Sequence, residues 1–190
     1  MTFNYPEEVS PQDMVNRIAW VLKGAEANQD VWQDQRMDWA NFIQRESWKK
    51  GVNPAWVLVS LQRERSLLGQ KGEDHDFDFA QGVVGQDSPG SVNERWNGLP
   101  TQIMLSVECA AWLGGIGLSS NFGYRPGLWP TQPRWPYGKV VKLYDSDHKP
   151  IGFHNCLSLE EYVQLSFTPH LEVIGINANI YERWVKPFFG

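Results

Sequence analysis

Apolar residues recur along this chain mostly at helical intervals, with one stretch that alternates. Met14, Ile18 and Val21 follow Ser10-Pro11, an N-capping serine and a proline suited to the first helical position, and predict a helix there. Trp32, Trp39, Phe42 and Ile43 mark one side of a second helix over about 30–50. Lys49-Lys50-Gly51 closes it with cations that the helix dipole favours and a C-capping glycine. Asn53-Pro54 opens a third helix, predicted over 54–68 and ended by Gly69. Residues 70–98 read as a loop rich in Gly, Asp and Gln, and Pro100 opens a fourth helix that runs to Gly114 and Gly115.

The second half is more broken. Prolines at 126, 130, 133 and 136, with aromatics between them, predict an irregular but packed segment over 119–138. Lys139–Tyr144 and Ile151–His154 pair as a short hairpin across Asp145–Pro150. Ser158-Leu159-Glu160-Glu161 is a capping box that opens another helix. Ile176, Ile180 and Trp184 mark the last helix before Pro187. No repeat, linker or low-complexity segment interrupts the order. The expectation is one mainly α (α+β) domain over 1–190 with a small β-hairpin or irregular insertion, its helical segment 10–50 packed on a core at 51–186.

Composition narrows the function classes. At 190 residues the chain suits about one domain of the usual ~100–200 residues. Seventeen basic and 22 acidic residues give a net charge of −5, which argues against a nucleic-acid groove and its basic field. No apolar run approaches the ~20 residues that cross a bilayer, and Met1–Glu8 carries two acids and no base, unlike a secretory signal. Cys109 lies inside a helical pattern, so it and Cys156 are expected to be buried free thiols rather than a bridge. Ten tryptophans exceed what most cores of this size hold, and two or three are expected in a cleft, where flat apolar rings suit sugars.

The third helix carries the main chemical clue. Val57, Leu61, Glu64 and Leu68 fall on one stripe at ~100° per residue, so an acid sits among apolar side chains. Arg63 and Arg65 are expected to point away from it. An acid deprived of water is the setting of a general acid; the alternative is a structural carboxylate held by an Arg from another element. A glycosidase also needs a second carboxylate or another means of stabilising an oxocarbenium-like transition state. Within the acid cluster Glu73, Asp74, Asp76, Asp78 and Asp87, Asp76 and Asp78 are the best candidates for that role, although their alternation with His75, Phe77 and Phe79 also reads as a short strand with the acids in solvent.

Around Glu64, the run Gly51-Val52-Asn53-Pro54 through Leu61-Gln62-Arg63-Glu64-Arg65-Ser66 resembles the catalytic-helix segment of the lysozyme-like superfamily, which includes soluble lytic transglycosylases and goose-type lysozymes. Phe79-Ala80-Gln81-Gly82-Val83-Val84-Gly85-Gln86 resembles that superfamily's Gly-rich segment, and Gly98–Leu113 its following core helix. Ser166-Phe167-Thr168-Pro169-His170 and Tyr181-Glu182-Arg183-Trp184-Val185 resemble later blocks of poorly characterised bacterial members, so the likeness spans about residues 40–186. Three features differ: Arg65 stands between Glu64 and Ser66, the Ala-Tyr-Asn-Ala-Gly segment is absent, with Tyr124 a loose stand-in, and the net charge is acidic.

The resemblance implies a lysozyme-like domain that cleaves peptidoglycan glycan strands, as a muramidase or a lytic transglycosylase, with Glu64 protonating the glycosidic oxygen. Gln81 and Gln86 would hydrogen-bond sugar groups, and Trp96, Tyr124 or Trp129 would line the cleft. It implies no metal and no organic cofactor; a monomer is expected, and the lack of a signal at Met1–Glu8 fits a phage lysin, a virion-associated protein or an enzyme exported by another route. Other features point to ordinary roles. Glu108, on a stripe with Met104 and Ala111, is either a second buried carboxylate near the cleft or, the favoured reading, a structural partner for an Arg, and the Asp74-x-Asp76-x-Asp78 pattern lacks the Gly and Glu of a calcium loop. His75, His148, His154 and His170 show no paired metal-ligand spacing. Two other function classes stand beside the glycosidase: a non-catalytic glycan-binding or structural virion module, and a zinc-dependent wall amidase.

Overall fold

A computed structural model describes residues 1–26, 30–71, 74–78, 80–81, 97–116, 135–136, 139–147 and 149–190. They are mainly helical, with one two-stranded antiparallel sheet. Among the described residues eight α-helices occur in the order α1 (Pro11–Ala25), α2 (Asp30–Lys50), α3 (Pro54–Arg65), α4 (Asp74–Asp78), α5 (Leu99–Gly114), α6 (Leu159–Phe167), α7 (Glu172–Ile180) and α8 (Lys186–Phe189). The strands β1 (Val140–Tyr144) and β2 (Pro150–Asn155) form the hairpin between α5 and α6. No helix among the described residues is long and apolar enough to cross a membrane.

Local chemistry accounts for the starts and stops. Ser10 Oγ accepts the Asp13 N–H at 3.1 Å ahead of α1. Asn53 Oδ1 accepts the Ala55 N–H at 2.9 Å ahead of α3, and Ser158 Oγ the Glu161 N–H at 3.2 Å ahead of α6. Each satisfies a backbone donor that the first helical turn leaves without a partner. α3 ends sooner than its apolar spacing predicts. Ser66, not Gly69, is its C-cap, in the left-handed region at φ 53° and ψ 25°, and its N–H donates to Gln62 and Leu61 carbonyls. Leu68 therefore lies past the helix, although both Leu67 and Leu68 are fully buried.

The last helical stretch is also less regular than its apolar spacing predicts. Between α7 and α8, residues Tyr181–Val185 form a π-helical turn, and the Lys186 N–H donates five residues back to Tyr181. Pro187 follows at once and has no N–H to continue an α-helical ladder. Residues 74–78 form one helical turn, not the strand that their alternation predicts. Phe77 nonetheless points inward, edge-on to Trp32 at 6.4 Å.

α3 is the centre of the fold. Eight consecutive residues, Pro54 to Leu61, are buried, because α2, α5, α7 and the π-helical turn surround it. Trp56 stacks edge-on against Phe3 at 5.9 Å and Phe167 at 5.3 Å. The N-terminal segment is strapped onto the start of this helix: the Asn53 N–H donates to Phe3 O and the Tyr5 N–H to Gly51 O, both at 2.8 Å. α1 packs along α2, and α8 returns to α1, where Arg17 donates to Phe189 O at 2.5 Å.

Candidate functional site

Burial ends abruptly at the C-terminal turn of α3, and there the polar residues Gln62, Arg63, Glu64 and Arg65 emerge half-buried. Glu64 is not an isolated acid on an apolar stripe. Its side chain is 26% exposed, and its Oε1 lies 2.6 Å from the Arg63 guanidinium. The expectation that Arg63 points elsewhere is thus corrected. Adjacent helical residues diverge by ~100°, yet both side chains are long enough to turn toward one another where the helix stops.

Arg63 is the more deeply held of the two. Its side chain is only 7% exposed, its carbon Cζ lies 5.9 Å from the Trp56 ring centroid, and its Nη1 donates to Asn177 Oδ1 at 3.3 Å. Asn177, buried on α7, donates in turn to Gln164 Oε1 on α6 at 3.1 Å. A relay of Gln164, Asn177 and Arg63 therefore fixes the Glu64 carboxylate relative to three helices. A planar guanidinium suits this task, because it presents several donors in one rigid fork.

Sequence reasoning missed Asn177 and Gln164, although a signal existed. Val173 and Asn177, four residues apart, are the buried positions of α7, and Gln164 lies between buried Val163 and Leu165. A polar side chain at a core position must find partners, which marks it for a network.

Asp76 reaches the same end of α3 by a parallel device. Its Oδ1 lies 3.6 Å from Arg65 Nη1, so the two arginines flanking Glu64 each hold a carboxylate. Asp78 is half-buried at the end of α4. Gln81 is not on a cleft wall. It is 1% exposed, its side chain donates to Val57 O at 3.1 Å and accepts from Ser106 Oγ at 3.0 Å, and its N–H donates to Gln102 at 3.2 Å. That buried amide joins α3 and α5. Gln86, Trp96, Tyr124 and Trp129 lie outside the described residues.

Glu108 is ion-paired with Lys50 at 3.3 Å rather than with an Arg. Cys109 and Cys156 are both free and buried. Burial, reinforced by Glu108, pushes the Cys109 thiol up to about 12; burial and then Glu161 push the Cys156 thiol up to about 11. Neither is a ready nucleophile, since the thiolate is the reactive form.

A cavity of about 460 Å³ opens between α6 and α7, lined by Glu161, Gln164, Ile174, Asn177, Tyr181 and Glu182 among others. Glu64 is not on its wall, but Asn177 is, so the cavity lies one relay step from Arg63 and two from Glu64. A group entering it would meet the side-chain amides that orient the arginine. Comparison of the chain with protein-family models, with curated proteins and with solved structures finds no match to any of them.

Proposed function

We propose that this protein cleaves the β-1,4 glycan strand of peptidoglycan on a lysozyme-like scaffold, with Glu64 as its acid and base. The observation that carries the reading is the placement of that carboxylate. It stands at the exit of the most enclosed helix, reaches solvent with a quarter of its surface, and is oriented by a relay from two other helices. Fixed geometry of this kind is what proton transfer to a glycosidic oxygen demands.

In the first step Glu64, protonated, gives its proton to the leaving oxygen as the glycosidic bond breaks. The carboxylate so formed faces the Arg63 guanidinium at 2.6 Å. It then takes a proton from the group that attacks the oxocarbenium-like centre. Water as that group gives hydrolysis, and the muramoyl 6-hydroxyl gives an anhydro product. A route with a second acid would draw on Asp76, which Arg65 faces at the same end of α3. The single-glutamate route, which needs no second acid, is preferred.

One observation favours a second reading. An Arg–Glu pair buried this far is also what a purely structural carboxylate displays, and on that reading the chain is a non-catalytic glycan-binding module. Glu64→Gln separates the two. The amide keeps the shape and an oxygen for Arg63 but holds no acid proton, so mass spectrometry of digested murein should show turnover reduced by roughly 10²–10⁴. Native activity that survives in the variant refutes the catalytic role. Native protein that binds walls without releasing fragments supports the module, and anhydro ends among the fragments identify a transglycosylase.

A further inference from the structure

The inner face of the β1–β2 hairpin carries chemistry that the proposed glycosidase does not use. Side chains two apart on an extended strand share a face. His154 pairs across the sheet with Val141, whose side chain is buried, and Cys156 follows two residues later, 2% exposed. The backbone of Cys156 is fixed by its N–H, which donates to Lys139 O at 2.7 Å. Glu161, in the first turn of α6, returns over this face, and its Oε1 lies 2.7 Å from His154 Nε2. Its other oxygen accepts the Leu157 N–H at 2.5 Å, which sets the plane of the carboxylate. The imidazole nitrogen, the thiol sulfur and a carboxylate oxygen all lie within 4.8 Å of one another.

We propose that His154, Cys156 and Glu161 bind a divalent transition-metal ion, Zn²⁺ being the best match to the ligand set. One nitrogen, one sulfur and one oxygen donor exclude Mg²⁺ and Ca²⁺, which take oxygen ligands, and suit a borderline ion. Zinc bonds of ~2.0–2.3 Å place tetrahedral ligands ~3.2–3.8 Å apart, within the observed spread. The His154–Glu161 contact would open by roughly half an ångström to admit the ion. On binding, the Cys156 S–H proton leaves to solvent as the Zn–S bond forms. Nε2 of His154 then bonds the metal in place of Glu161, its proton lost or moved to Nδ1. His154 and Glu161 are each partly exposed, so the ion reaches the buried sulfur from solvent. Three protein ligands leave a fourth position for water or an exchangeable ligand, and the bound ion would pin the hairpin to α6. This site is independent of Glu64, so either assignment can fail without the other.

Cobalt(II) provides the direct readout, because a thiolate ligand gives a sulfur-to-metal charge-transfer band. Titration of the reduced full chain should produce that band with one equivalent of Co²⁺, and Zn²⁺ should displace it. Cys109→Ser should leave the band unchanged and Cys156→Ser should abolish it. His154→Asn retains both thiols and should weaken Zn²⁺ affinity by ~100-fold, measured against a chromophoric chelator. Absence of a band at saturating Co²⁺ overturns the proposal and leaves a simple His–Glu pair. A band that survives in Cys156→Ser overturns it too, as does unaltered Zn²⁺ affinity in His154→Asn.

Discussion

Replacement of Arg63 by methionine isolates the energetic worth of the relay that orients Glu64. Methionine keeps an apolar stem of similar length over Trp56 and removes only the guanidinium. Asn177, 2% exposed, then loses a donor to its Oδ1, and a buried acceptor left without its partner costs ~1–3 kcal/mol. The lost ion pair adds less. Glu64 is 26% exposed and regains water, so this contribution is about 1 kcal/mol rather than the ~3–5 of a fully buried pair. Release from burying a guanidinium that is only 7% exposed offsets part of both. A net loss of about 1–3 kcal/mol follows, or a Tm lowered by roughly 2–12 °C for a chain of this size. Urea denaturation of the native protein, Arg63→Met, Asn177→Ala and the double variant closes a thermodynamic cycle. The single losses should exceed the double loss by at least ~0.5 kcal/mol, because the two residues share one bond. Strict additivity, or an Arg63→Met variant as stable as the native protein, would refute the claim that the relay holds α3 to α7.

The same structure makes further commitments. Gly115, the C-cap of α5, has φ +68°, and a Cβ there would lie 2.6 Å from the Trp135 carbonyl oxygen, so Gly115→Ala should cost ~2 kcal/mol or more by thermal melt, whereas a neutral effect would show that this turn yields freely. Burial raises the Glu46 carboxyl, but the hydrogen bonds and charges of Arg45 and Lys49 outweigh it and hold the group below its ordinary value. Its contribution is therefore present above the unfolded value of about 4.3 and lost as pH falls through the lower folded value. The stability gap between native protein and Glu46→Gln should be ~0.3–1 kcal/mol at pH 7, limited by the half-exposed partners, and should close under acid. With thiols near 12 and 11, fewer than ~1 in 1,000 of either cysteine is thiolate at pH 8, so Ellman's reagent should react with neither until denaturant is added, and fast labelling of the native protein would contradict the burial of both.

Elements whose signals are local were legible in the sequence, and those set by neighbours were not. Ser10-Pro11, Asn53-Pro54 and Ser158 state where helices begin, because a side chain caps a backbone donor two or three residues away. The hairpin was legible as two short runs either side of Asp145–Pro150, and the free, buried state of the cysteines from the helical pattern around Cys109. The end of α3 was not, since Ser66 adopts a left-handed cap that sequence reasoning reserves for glycine. Residues 74–78 alternate like a strand yet coil as a helical turn; the alternation is too short to decide the backbone alone, and Phe77 reaches Trp32 from either conformation.

At the candidate site the sequence determined that an acid stands near the end of an apolar helix, and no more. Its partner was decided by tertiary structure: the helix stops one residue after Glu64, and Asn177 arrives from α7 to hold the arginine that faces it. Gln81 teaches the same point from the opposite side. Polar type and motif position recommended it for a sugar, but the crossing of α3 and α5 buried it, and a buried amide must spend its hydrogen bonds on the protein. The cluster of His154, Cys156 and Glu161 likewise exists only because a strand face and the first turn of a helix meet. Periodicity along one element predicts which side of it is buried; which polar groups converge depends on the element that packs across it.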